Sequence, residues 1–478
     1  MFPIWIAWPS PAARLLATLV YVLLAGLVTA DVLLKKRDVR GALGWIAAAW
    51  LSPVAGALLY YIFGINRVTR RASRLGKLDG RDKSDGASDP ALQTSDHIRI
   101  LAEVGRRVTG RPLIGGNRIS ILEGGEEAYP AMLKAIGGAQ HSLAMASYIF
   151  RNDAAGRAFA EALISAADRG VETRVLLDSV GTGYLFSGIF NRLRSRGVPA
   201  ARFLHTWMPW RMPFLNMRNH RKLLVVDGRV AFIGGMNIGR EYSRSLSKGN
   251  YIDDIHFLIE GPAAGAAMDA FARDWTFTTE EALDQPCWWP ELGPSGPVPA
   301  RGLSSGPDAD LYKLETLLGA ALSLARKRVR IVTPYFLPDQ RLEFAIAEAA
   351  IRGVGVDIVI PEHCDYVFLD WAVLAHLRFL RRVELNIYMS PLPFDHSKLA
   401  TVDGEWSLIG SSNWDARSFR LNFEYDLECY DAQFATALDI IIDEKIARAR
   451  KVNYDELMSR PLALRLRDAA ARLLTPYL

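Results

Sequence analysis

The chain has 478 residues, 50% of them hydrophobic and 23% charged, and its 57 Lys and Arg against 52 Asp and Glu leave a net charge of +5. That length holds two domains and an additional element. Three widely spaced cysteines, Cys287, Cys364 and Cys429, exclude a disulfide framework and suit a reducing compartment. The basic excess is too small to define a partner, so its placement matters more than its size.

Residues 1–75 differ in kind from the rest and predict an N-terminal transmembrane region. Leu15 to Leu34 carries one charge, Asp31, near its end, and as a helix it reaches across the roughly 30 Å of a bilayer's hydrocarbon. A cleaved signal peptide is the competing reading, disfavoured by the length of the run and by the second apolar run that follows at once. This second span, Gly41 to Gly64, is uncharged, with Trp45, Trp50, Tyr60 and Tyr61 as interface anchors. Pro53 within it predicts a kink or a re-entrant path. Lys35, Lys36, Arg37 and Arg40 precede it, and Arg67, Arg70, Arg71, Arg74 and Lys77 follow it. If both spans cross, one basic cluster lies on the wrong side of the membrane. Residues 76–98 then read as a polar tether.

An internal repeat follows. SYIFRND (147–153) and PYFLPDQ (334–340) each end a predicted strand and precede a helical stretch, and RGVETRVLLD (169–178) and RGVGVDIVIP (352–361) each end a helix and open a strand. This order, twice over, predicts an α/β chain with two related lobes, 99–285 and 308–450, each a mixed sheet flanked by helices. The Pro/Gly-rich stretch 286–307, with Trp288 and Trp289, reads as the inter-lobe linker. Between the repeats, His205 to Met217 (HTWMPWRMPFLNM) is aromatic and apolar, fitting either core or a lipid-facing lip. The C-terminal segment 451–478 predicts an amphipathic helix, with Leu462, Leu466, Ala469, Ala470 and Leu473 on one face and Arg465, Arg467 and Arg472 elsewhere. It fits either an anionic lipid surface or the flank of the domain.

Each lobe carries the pattern His-x-Lys-x-x-x-x-Asp, and its six residues are the candidate catalytic set: His220, Lys222 and Asp227 in the first, His396, Lys398 and Asp403 in the second. Seven residues past each Asp stands Gly234 or Gly410, and ten past it Asn237 (GGMN) or Asn413 (GSSN). One copy alone reads as a surface His and Lys beside a turn, but two copies in register do not. In each, His and Lys two apart share a face of the chain, and an apolar run, Leu223 to Val226 or Leu399 to Val402, leads to an Asp-Gly turn.

Two imidazoles and two ammonium groups around one anion suit a phosphodiester. Lys222 and Lys398, with Asn237 and Asn413, can stabilise its oxygens, while one His attacks phosphorus and the other protonates the departing alcohol. This chemistry calls for no metal or other cofactor. The sequence has no HExxH pattern and no Cys/His cluster.

These motifs resemble the phospholipase D superfamily, and most closely its bacterial cardiolipin synthase branch. The resemblance extends to RNHRK at Arg218 to Lys222 and to DARSFRLNFE at Asp415 to Glu424, and it covers nearly the whole chain. It implies two phospholipase D-like lobes around one site, with Asp254 (YIDDIHF) orienting His220 and Glu424 (LNFEYD) orienting His396. It further implies transfer of a phosphatidyl group from one phosphatidylglycerol to another, giving cardiolipin and glycerol through a phosphohistidine. His220 is then the nucleophile and His396 the acid and base, an assignment that the near symmetry of the motifs leaves open.

The implied partners are phosphatidylglycerol and anionic membrane lipid, not nucleic acid, at a bacterial inner membrane spanned more than once, with the lobes in the cytoplasm. Three competing readings share many of these features. They are a phospholipase D releasing phosphatidic acid, a phosphodiester nuclease, and a silent membrane scaffold; the intact His, Lys and Asn in both halves speak against the last.

Overall fold

A computed structural model describes residues 10–36, 39–64, 90, 92–206, 217–380, 383 and 385–473. The aromatic stretch 207–216 and most of the expected tether lie outside these residues. The chain divides into a small N-terminal unit and a large catalytic unit.

In the N-terminal unit, helix Pro11–Lys35 starts where the Ser10 hydroxyl accepts the Ala13 N–H at 3.2 Å, and it is long and apolar enough to cross a membrane. The expected second span is not one helix. It breaks at Ser52, the non-helical residue before Pro53, into Val39–Leu51, Pro53–Leu59 and a π-helical turn at Tyr60–Gly64. A side chain at Gly56 would collide with the Ala48 carbonyl, and its absence lets Val39–Leu51 and Pro53–Leu59 fold closely on each other. Polar contacts tie this segment back to the long helix, with the Trp50 indole donating to Thr29 at 3.1 Å and the Tyr60 hydroxyl to Asp31 at 2.8 Å. Two full crossings are therefore not what the described residues form.

The catalytic unit is built on strands. The first half supplies β1 (Ile114–Glu123), β2 (Ser142–Ser147), β3 (Glu172–Asp178), β4 (Ala200–Phe203), β5 (Arg218–Asn219), β6 (Leu223–Val226), β7 (Val230–Gly234), β8 (Ile252–Asp253) and β9 (Ile255–Glu260). The second supplies β10 (Val298–Ser305), β11 (Arg328–Val332), β12 (Phe336–Leu337), β13 (Gly355–Pro361), β14 (Asn386–Ser390), β15 (Phe394–Asp395), β16 (Leu399–Val402), β17 (Trp406–Gly410), β18 (Trp414–Asp415), β19 (Asn422–Cys429) and β20 (Arg450–Lys451).

The first lobe runs β4-β3-β2-β6-β7-β9-β1 and the second β14-β13-β11-β16-β17-β19-β10, with β20 added at the outer edge. In each, three parallel strands continue into antiparallel ones. β1 pairs with β10 antiparallel, so the two sheets join about a pseudo-twofold axis. Each lobe has its own buried apolar core beneath flanking helices. The expected α/β architecture of two related lobes is the one observed.

Two boundaries fall elsewhere than expected. Helix Asp96–Thr109 begins inside the expected tether and buries Ile98, Leu101 and Ala102 in the core of the second lobe, not the first. The expected linker 286–307 is a connection only as far as residue 297; Val298–Ser305 is β10, held on one side by β1 and on the other by β19. The last helix, Leu462–Arg472, packs on helix Val367–Leu380. It does so through buried Asp468 and Ala471, and through Arg467, whose guanidinium lies 4.2 Å from the centre of the Trp371 ring. Its apolar face, with Leu462, Leu466 and Leu473, is exposed.

Candidate active site

The sequence places each histidine just before an apolar strand, β6 or β16, that is buried along its whole length. The residues ahead of each histidine pair with the opposite lobe. β5 runs parallel to β19, and the His220 N–H donates to the Phe423 carbonyl at 2.9 Å. β15 runs parallel to β8, and the His396 N–H donates to the Asp253 carbonyl at 2.7 Å.

The next residue along each of those partner strands is an acid, so the carboxylates are exchanged relative to the expected pairing. His220 Nδ1 lies 2.9 Å from Glu424 Oε2, and His396 Nδ1 lies 2.8 Å from Asp254 Oδ2. Sequence order had matched each acid to the histidine of its own lobe, but strand pairing across the lobes decides otherwise. In both dyads Nδ1 is engaged, leaving Nε2 for chemistry.

All these groups are buried, and desolvation dominates their electrostatics. Burial pushes His220 down to about 4 and His396 well below its ordinary value, so both rings are neutral near pH 7. Burial also lowers Lys222 well below the usual lysine range and Lys398 to about 8, against the attraction of Asp254 and Glu424. Lys222 Nζ donates to the His220 carbonyl at 2.7 Å and stands 5.2 Å from the centre of the Tyr148 ring. Lys398 Nζ donates to the His396 carbonyl and lies 3.0 Å from His396 Nδ1.

The two carboxylates differ. Burial raises Glu424, but His220, Lys222 and Ser411 outweigh it and hold the group below its ordinary range. Its oxygens accept from Ser411 at 2.6 Å, Ser418 at 2.9 Å and Asn422 at 3.1 Å. Asp254 accepts the Ile255 N–H at 2.8 Å, and burial, only partly offset by Lys398, pushes it up to about 6. The position matching Ser411 is Gly235, where an added Cβ would lie 2.7 and 2.8 Å from the Asp254 oxygens and 3.0 Å from Lys398 Nζ. The glycine leaves room for that ammonium and gives Asp254 no hydroxyl.

Three of the four residues expected beside the histidines and lysines have other partners. Asp227 and Asp403 lie at the far ends of β6 and β16, each in a turn with positive φ followed by a positive-φ glycine. Asp227 caps the N–H groups of Gln140, His141 and Ser142, and Asp403 those of Arg326, Lys327 and Arg328 together with His97 Nε2 at 2.7 Å. Both are structural ties. The Asn237 amide oxygen accepts the Ile149 N–H at 3.1 Å, and its Nδ2 donates to the Tyr242 hydroxyl at 3.0 Å. Asn413 is buried, with no hydrogen-bond partner for its Oδ1 among the described residues.

Sequence reasoning missed Ser411, Ser418 and Asn422 around Glu424, and the tyrosines that cover the imidazoles. The Tyr148 ring lies edge-on to His220 at 4.9 Å between centres, and those of Tyr242 and Tyr335 to His396 at 6.2 and 6.4 Å. The signal for Tyr148 and Tyr335 was present, since the strings SYIFRND and PYFLPDQ share a tyrosine at their second position. Among the described residues no group of three or more His, Cys, Asp or Glu is placed to hold a metal ion.

Two β-α-β lobes that share one site, each lending a histidine to the other's carboxylate, have the architecture of a phospholipase D-type phosphotransferase. A family model described as cardiolipin synthase, PLD-like domain, matches residues 132–275 and 318–446, and one described as phospholipase D-nuclease N-terminal matches 23–64. The chain is 30% identical to the major cardiolipin synthase ClsA of Bacillus subtilis, over 98% of this chain and 99% of that one. It is 31% identical to the cardiolipin synthase of Geobacillus kaustophilus, over 93% and 90%. The fold is similar to the phosphatidylserine synthase of Haemophilus influenzae, with a TM-score of 0.62 at 16% identity, covering 79% of this chain and all of that one. The chain belongs to the cardiolipin synthase family of the phospholipase D superfamily.

Proposed function

We propose that the chain makes cardiolipin from two phosphatidylglycerol molecules, releasing glycerol, by way of a phosphohistidine on His220. The observation that carries this reading is the pair of exchanged imidazole–carboxylate dyads, 2.9 and 2.8 Å, in a member of the cardiolipin synthase family. His220 Nε2 attacks the phosphorus of the first lipid. The phosphorus–oxygen bond to glycerol breaks, and His396 Nε2–H gives its proton to that oxygen. The terminal hydroxyl of the second lipid then loses its proton to His396 Nε2 and attacks, and the phosphorus–nitrogen bond breaks to restore His220.

Both rings are neutral in the empty site, and the entering phosphodiester anion supplies the charge that draws a proton onto His396. Lys222 and Lys398 oppose the negative charge that builds up in transfer. The assignment of His220 as nucleophile is supported by Glu424, whose three side-chain donors keep it ionised to balance a cationic phosphoimidazole.

Purified enzyme incubated with phosphatidylglycerol vesicles is expected to give cardiolipin and glycerol, with neither His220→Ala nor His396→Ala turning over. Phosphatidic acid as the main product would establish hydrolysis instead, and full activity in either variant would refute a shared site. We further infer that the enzyme resides at the bacterial inner membrane with its lobes in the cytoplasm, supported by the basic run from Arg67 to Lys77 and the free cysteines. Labelling of Ser84→Cys by an impermeant reagent in intact cells would refute that placement.

A further inference from the structure

The strands β3 and β13 occupy matching places in the two lobes, and the loops that follow them, 179–187 and 362–366, match as well. Each loop packs on a tyrosine that covers one of the histidines. The first packs so closely on Tyr148, the tyrosine over His220, that a side chain at Gly181 would strike the Tyr148 carbonyl. The second binds Tyr335, the tyrosine beside His396, whose hydroxyl donates to Asp365 at 2.6 Å.

Beyond these anchors the first loop, and the second with the opening turn of the helix Val367–Leu380, turn large apolar side chains outward. Leu185 is 62% and Phe186 86% exposed; Tyr366 is 55% and Val367 61% exposed, with Phe368 beside them. Such groups at one loop tip would be unremarkable. Here they recur after matching strands in two lobes that otherwise bury their apolar residues in separate cores. Points related by a twofold axis have the same height along it. The strands that lead into the two tips are so related, and both tips follow the same ends of those strands, one in each lobe.

We propose that these two tips are a membrane-insertion surface. They enter the acyl layer on either side of the active site, so that both lipid substrates reach the histidines from a single leaflet. The occupant is a lipid bilayer because each tip adjoins a tyrosine of the catalytic site, where a phospholipid headgroup must arrive with its chains still anchored. The inference rests on the phosphatidylglycerol reading above.

The test uses the full chain reconstituted in phosphatidylcholine vesicles, supplied either with long-chain phosphatidylglycerol in the bilayer or with dihexanoyl phosphatidylglycerol in solution. The double variant Phe186→Glu/Val367→Glu is expected to lose tenfold or more of its activity on the bilayer substrate, since two charges replace two buried apolar groups, each worth about a decade or more. Its activity on the soluble substrate should be unchanged. The apolar variant Phe186→Leu/Val367→Ile should retain both activities, which separates loss of apolarity from loss of fold. Equal activity of wild type and the charged variant on the bilayer would overturn the proposal, as would a parallel loss on both substrates in both double variants. A change of oligomeric state in the charged variant with bilayer activity retained would assign the tips to a protein interface instead. If wild type made no cardiolipin from either substrate, the phosphatidylglycerol reading itself would fail, an outcome distinct from all of these.

Discussion

Replacing Glu424 by Gln removes the charge facing His220 while keeping its shape and one hydrogen-bonding oxygen. The carboxylate and ring meet at 2.9 Å, both buried, so once His220 becomes a cationic phosphoimidazole the charge centres are about 4 Å apart. At an effective interior dielectric of about 20, that attraction is about 4 kcal/mol, or about three decades in the rate of forming the covalent intermediate. Asp254→Asn weakens a different step, the protonation of the departing alcohol by His396.

A donor whose leaving group needs no proton, such as phosphatidyl p-nitrophenol, separates the two. Rapid-quench measurement of the adduct, mapped by mass spectrometry to His220, should show Glu424→Gln still slow by about three decades on this donor and Asp254→Asn restored to near wild-type rate. With the adduct on His220, the reverse pattern would mean that Asp254, not Glu424, acts on that ring, and the exchanged pairing would be wrong.

Further outcomes follow from the same geometry. The value of kcat/KM should fall above about pH 8 as Lys398 loses its proton, and below about pH 6 as Asp254 gains one; Lys398→Arg, which keeps its charge, should move the alkaline limb upward, and an unmoved limb would assign it to another group. In kcat the alkaline limb should lie higher than in kcat/KM, because the bound phosphodiester anion favours the charged lysine. Asp403→Ala should cost about 3 kcal/mol of stability by orphaning three backbone N–H groups and His97, read by denaturant unfolding, while the folded fraction keeps its kcat; a large fall in kcat at unchanged stability would return Asp403 to the chemistry. Incubation with EDTA should leave the rate intact, since the two lysines supply the stabilising charge, and inhibition reversed by one particular divalent ion would contradict this.

The duplicated motif made the two lobes and the shared site legible before any coordinates, because period and repeat are local properties of a chain. What stayed hidden was non-local. Nothing in the spacing around His220 or Asp254 tells that β5 lies against β19 and β8 against β15, and those two contacts decide which carboxylate each ring meets. Helix Asp96–Thr109 misled for the same reason, since it precedes the first lobe in sequence and completes the core of the second. Asp227 and Asp403 were read as catalytic because they belong to the pattern, but a pattern records what recurs together, not what touches substrate. The contrast of Gly235 with Ser411 was visible in GGMN against GSSN. Its meaning needed the positions of Asp254 and Glu424.

The exchange of strands between the lobes also bears on how such a chain can change over time. A lobe on its own holds a histidine without its acid and an acid without its histidine, so neither copy could have worked in isolation as this one is built. Any substitution at one acid is felt by the ring of the other copy, which ties the history of each half to its neighbour. Specialisation of the halves has to proceed as a matched pair, and a hydroxyl at 411 opposite a bare backbone at 235 is where the two copies have parted company while still serving one reaction.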